Sequence, residues 1–223
     1  YIDEKTGLEL NMDMARAARL EEMEFMRKIQ LFEEVDETEC YERTGKAPVT
    51  TKWVDLNKGT VVAPDIRCRL VARDFKPRGD KDREDLFAAT PPLECKKILF
   101  KKAIMNQEQC RRGGHERLKL MFIDVKKAHL NGVLKADEYV YIELPQEAQA
   151  EGRCGRLKRW LYGMRPAASA WEADYTEKLG QLGFRRGRAA PTVFYCKELQ
   201  VRGVVHGDDF TFLGYKKDLL VVE

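Results

Sequence analysis

The stretch VRGVVHGDDFTFL, residues 201–213, constrains the fold more than any other. Its two arms are short apolar runs rich in β-branched and aromatic residues, the composition of strands. The polar HGDD between them predicts the tip of a hairpin, and it carries two adjacent aspartates, Asp208 and Asp209. A second apolar run, LKLMFIDV at 118–125, predicts a buried strand ending on Asp124, 84 residues before Asp208. Each acidic turn alone is ordinary surface chemistry. Strands packed side by side would gather three carboxylates at one edge of a sheet. Like charges that close repel, and divalent cations relieve the repulsion. Two Mg²⁺ ions roughly 4 Å apart, held by carboxylates and substrate phosphates, are the usual equipment of in-line nucleotidyl transfer.

The chain has 223 residues and 43% apolar content, enough for one large domain or two lobes. Its net charge of +3 conceals an asymmetry. Residues 1–45 carry 13 acidic and 6 basic side chains, and the remainder carries 24 acidic and 34 basic, a net +10. A basic body points to a polyanionic partner. The six cysteines stand 15 or more residues apart with no C-x-x-C pair, which predicts reduced buried thiols rather than a zinc site. No apolar run exceeds four residues and no signal peptide opens the chain, so neither a membrane span nor secretion is expected. The chain starts at Tyr1 and stops within DLLVVE, which reads as a fragment of a longer product.

Residues 8–34 predict an amphipathic helix. Ala15, Ala18, Phe25, Ile29 and Phe32 form its stripe, and Met12, Leu20, Met23 and Met26 widen it. TTKWVDLN and IRCRLVARDF predict two strands, and KPRGDKDRED a charged loop. Residues 94–105 predict a helix along Cys95, Ile98, Leu99 and Lys102, its lysines able to meet phosphates. QEQCRRGGHER, with a solvated His115, predicts a loop. EYVYIELP predicts a strand, and residues 166–184 a helix closed by Gly183. TVFYC predicts a further strand. Trp53, Trp160 and Trp171 read as core anchors.

FIDVKKAHLNG, EYVYIELP, LKRWLYGMRPAASAWE, LGF, TVFY and VVHGDDF stand in an order that resembles the reverse transcriptase domain of copia-type (Pseudoviridae-like) retrotransposon Pol polyproteins. WVDLNKG and RCRLVARDF resemble its fingers, and the similarity covers about residues 46–218. The resemblance implies an α+β right-hand polymerase with fingers and palm and no thumb, the palm a ferredoxin-like antiparallel sheet with helices on one face. Charge and periodicity mark residues 1–45 as an acidic helical leader, and the resemblance implies a fingers-like region over 46–115 and a palm-like region over 116–223. It implies RNA-directed DNA polymerase activity with two Mg²⁺ ions, or Mn²⁺ in their place, using dNTPs and a primed RNA or DNA template. Integrase and RNase H would accompany it in the full product, in the cytoplasm within a virus-like particle or in the nucleus.

By position, Asp124, Asp208 and Asp209 would be the catalytic and metal-binding carboxylates, with the Val125 carbonyl facing a metal. Arg67, Arg69 and Arg73 would grip the incoming triphosphate. His129 would stand where a ring excludes a ribose 2′-hydroxyl, and Gly163 would allow close approach of template or nucleotide. His206, Gly207 and Arg165 would meet primer or template. The pattern departs from the family at His129 and His206, where aromatic residues are usual, and at Pro166 and Ala168, where Gln and Pro are usual. These departures fit an alternative, a catalytically inactive element-derived domain that binds nucleic acid through its basic body. A plain α+β domain with incidental acidic turns is the third reading.

Overall fold

The computed structural model describes residues 1–75, 88–113, 116–148 and 150–222. The expected loop at 76–85 and His115 lie outside the described residues. In chain order the elements are α1 (Met12–Lys28), β1 (Phe32–Asp36), α2 (Glu37–Thr44), β2 (Thr51–Asn57), β3 (Ile66–Ala72), α3 (Leu93–Arg112), β4 (Lys119–Asp124), a 3-10 turn (Ala128–Asn131), β5 (Tyr141–Ile142), β6 (Arg153–Leu157), α4 (Ala167–Gln181), β7 (Arg185–Arg186), β8 (Val193–Cys196), β9 (Val201–His206), β10 (Asp209–Gly214) and α5 (Lys216–Leu219). They divide into two compact units, each built from two separate segments. The first is Tyr1–Arg83 with His129–Ala170, and the second is Glu84–Ala128 with Trp171–Glu223.

In the first unit, α1 is capped by Asn11, whose side chain accepts from the Met14 N–H at 3.0 Å. The helix spans 12–28 rather than 8–34, because Gln30 takes a left-handed φ of 51° and the chain turns into β1. Its buried stripe is Ala15, Glu22, Met23 and Met26, not the expected run through Phe25 and Ile29, which are only partly buried. That stripe faces Leu70 and Ala72 of β3, within a core that also holds Leu130, Ile142, Leu157, Trp160 and Leu161. The acidic N-terminal segment is thus packed into this unit. Arg19 ties α1 to β2 by a 2.6 Å ion pair with Asp55, and its guanidinium stacks between Tyr1 and Trp53. Strands β2 and β3 form an antiparallel ribbon, as expected. Of EYVYIELP only Tyr141–Ile142 is a strand. It pairs with β6, whose other edge is taken by β1.

The second unit is a five-stranded antiparallel sheet of order β4-β10-β9-β8-β7. Side chains alternate across it. Phe210 and Phe212 of β10 point to one face and pack with Trp171, Tyr175 and Leu179 of α4 and with Phe184, Phe194 and Leu219. Leu213 and Val204 point to the other and pack on Leu99 of α3. Helices therefore cover both faces of this sheet, not one. The α3 helix runs to Arg112, so much of the expected loop QEQCRR is helical, and Asn106 braces it by accepting from the Leu118 N–H at 2.7 Å. Strand β4 is an edge strand with Phe122 64% exposed, not the fully buried strand its composition predicts. Gly183 closes α4 in the left-handed region with φ 83°, as expected.

Candidate active site

The predicted hairpin forms. Strands β9 and β10 pair with His206 opposite Asp209, leaving Gly207 and Asp208 as the two-residue turn. Gly207 takes φ 65° at the first turn position, which a right-twisted hairpin asks of it. On the other side of β10, Asp209 stands directly opposite Asp124 of β4. The Val125 N–H donates to the Asp208 carbonyl at 3.0 Å, a bond that flanks this pair rather than joining it. The pair is thus of the non-hydrogen-bonded kind, with Cα atoms about 4.5 Å apart and side chains at their closest.

His206, Asp209 and Asp124 therefore form one row across three strands, on a single face of the sheet and all exposed. Asp208 adds a third carboxylate at the turn. No ion pair among the described residues involves Asp124, Asp208 or Asp209. Oxygen donors without cationic partners are the chemistry that a hard divalent ion takes. Among the described residues, no three His, Cys, Asp or Glu side chains converge as a ready-made metal cluster. Substrate phosphates and water would have to complete any coordination sphere built here.

Behind the hairpin stands a residue that its sequence pattern marked only as a core anchor. Trp171 of α4, 6% exposed, donates its indole N–H to the Gly207 carbonyl at 2.9 Å. Its ring meets Phe210 and Tyr175 edge-on at 6.2 and 5.6 Å. The expected core anchor also fixes the turn. A buried indole N–H needs an acceptor, and that requirement was the signal.

The remaining site residues expected from the sequence belong to the first unit, apart from Val125, His206 and Gly207. Arg67 and Arg69 lie on the exposed face of β3, and Arg73 lies past its end. Arg67 pairs with Asp65 at 3.1 Å. The Arg69 guanidinium lies 5.4 Å over the ring of Tyr162, and the His129 ring lies 5.7 Å from the same tyrosine. Tyr162, unmarked in the sequence reading, is thus the centre about which Arg69 and His129 gather. Gly163 follows it with φ 80°, and a Cβ there would collide with the Ala72 carbonyl oxygen. The close approach that demands glycine is made by the chain's own β3. The Arg165 N–H donates to the Asp74 carboxylate at 2.9 Å, a bond between the two segments of this unit.

A family model described as reverse transcriptase (RNA-dependent DNA polymerase) matches residues 16–219. That match takes in most of α1, most of both units and all three aspartates, and on it the chain belongs to the reverse transcriptase family.

Proposed function

We propose that this chain is the palm and fingers of an RNA-directed DNA polymerase from a copia-type retrotransposon polyprotein. The carrying observation is the register that sets Asp124 opposite Asp209, with Asp208 in the adjoining turn and, among the described residues, no cation paired to any of them. In this reading Asp124 and Asp208 hold Mg²⁺, and Asp209 supports the site. The bound ions would offset the charge of the facing carboxylates and of the substrate phosphates. The unit with the paired aspartates serves as palm. The ribbon β2–β3 serves as fingers, with Arg69, Arg73 and His129 meeting the nucleotide and His206 the primer end. The sheet's exposed row at the hairpin supplies the space for a primer terminus.

Primer extension on an RNA template tests this. The wild-type chain should add deoxynucleotides with Mg²⁺ or Mn²⁺, and Asp124→Asn and Asp208→Asn should not. Equal extension by wild type and variants would remove the assignment. Binding of Mn²⁺, followed by water proton relaxation, should be lost in the same variants.

A further inference from the structure

The second unit carries a groove of about 500 Å³ on the α3 side of its sheet, lined by Lys101, Lys102 and Arg202 around Ile98, Met105 and Tyr215. Lys101 and Lys102 are exposed, about one helical turn from Ile98 and Met105. Arg202 of β9 is held in place. It donates from Nη1 to the Gln200 carbonyl at 3.2 Å, and its guanidinium lies 4.8 Å over the Tyr195 ring. Among the described residues, no carboxylate lines the groove and no ion pair engages any of the three cations.

Uncompensated cations beside an apolar and aromatic wall accept a phosphate that carries a flat, largely apolar group. The volume falls in the range of sites that enclose one small molecule. Its position is informative as well. Arg202 stands opposite Leu213 on β10, and Asp209 lies four residues from Leu213 on the same face. At about 3.3 Å per residue, Arg202 is about 13 Å along the sheet from the aspartate pair.

We propose that this groove holds a phosphate and its neighbouring base in a single-stranded nucleic acid, extending the strand's footprint away from the aspartates. The identity of the polyanion rests on the polymerase reading, and the charge complementarity does not. The phosphate sits among Lys101, Lys102 and Arg202, and the base lies against Tyr215 and Met105. Base–aromatic stacking with a cationic backbone track is the usual grip on single strands.

Fluorescence anisotropy with a labelled single strand of about 12 nucleotides, in the presence of a chelator, tests the proposal. Lys101→Gln with Lys102→Gln should weaken binding several-fold and lower the slope of log K against log salt by about 0.7 per lost contact. Adding Arg202→Gln should lower it further, with unfolding curves checking that β9 is intact. A control of equal charge, Lys5→Gln with Lys28→Gln, should leave the slope where it was. Unchanged affinity and slope in the Lys101/Lys102 variant would overturn the proposal. So would displacement of the strand by an acidic peptide, or by free deoxynucleoside triphosphate at the strand's own concentration. Failure of the polymerase reading would show differently, as absent primer extension with groove-dependent binding intact.

Discussion

The indole of Trp171 and the carbonyl of Gly207 are joined by a 2.9 Å hydrogen bond that ties α4 to the turn carrying Asp208. Ring packing and hydrogen bond can be separated by substitution. Trp171→Phe keeps most of the packing and should cost about 1 kcal/mol, the net worth of one such bond. Trp171→Ala also empties a buried site and should cost about 3–5 kcal/mol. Urea unfolding measures both. A phenylalanine variant as unstable as the alanine variant would show that the bond, not the ring, holds the turn.

Facing carboxylates repel, so the site works against stability. Asp124→Asn and Asp209→Asn should each melt no lower than wild type in metal-free buffer. Added Mg²⁺ should raise the melting temperature of wild type more than that of either variant, because only an intact site binds the ion in the folded state. A variant that melts well below wild type without metal would mean that these side chains serve the fold.

Two glycines with positive φ should answer alanine differently. At Gly207 a Cβ meets nothing within 4 Å, so Gly207→Ala should cost only the left-handed backbone penalty, about 1–2 kcal/mol. At Gly163 the same penalty is joined by a collision with the Ala72 carbonyl and with Val71 Cγ1 at 2.5 Å. Gly163→Ala should therefore be clearly the less stable of the two by chemical denaturation.

The cysteines should divide into two groups under native alkylation. Cys40, Cys68, Cys154 and Cys196 are buried, and Cys95 and Cys110 are half-buried. Burial, with Asp55 nearby, pushes the Cys68 thiol up to about 12. Burial likewise pushes the Cys154 thiol up to about 11. Thiolate is the reactive form, so iodoacetamide near pH ~8 should label Cys95 and Cys110 first. Mass spectrometry that finds Cys68 or Cys154 labelled as fast would contradict the packing.

Acid should release the N-terminal segment. Asp3 accepts N–H bonds from Asn57 at 2.7 Å and from Thr6 and Lys5 at 2.8 Å each. These bonds, that from Asn57 foremost, lower its pKa from 3.8 to about 2. A depressed carboxylate contributes stability above its unfolded value, and the contribution fades as pH falls from there through the folded value. The melting-temperature gap between wild type and Asp3→Asn should be constant above about pH 5 and close between about pH 4 and pH 2. A gap unchanged at about pH 2 would exclude the linkage.

Much of the local structure was legible in the sequence because it follows from short-range rules. Apolar runs flanking HGDD specified a hairpin, Gly183 closed a helix, and the alternation of IRCRLVA set which side of β3 is exposed. The order of the aspartate motifs also pointed to the family that the comparison shows. Packing decided what periodicity left open. The α1 stripe rotated onto Met23 and Met26 because β3 offers its surface there, and β4 became an edge strand because no strand among the described residues pairs beyond it. Residues far apart in the chain were brought together by register and contact. These are Asp124 against Asp209, Trp171 against Gly207, and Arg69 and His129 about Tyr162. No local pattern encodes such meetings, since strand pairing and helix docking are chosen by the summed burial and hydrogen bonding of the whole fold.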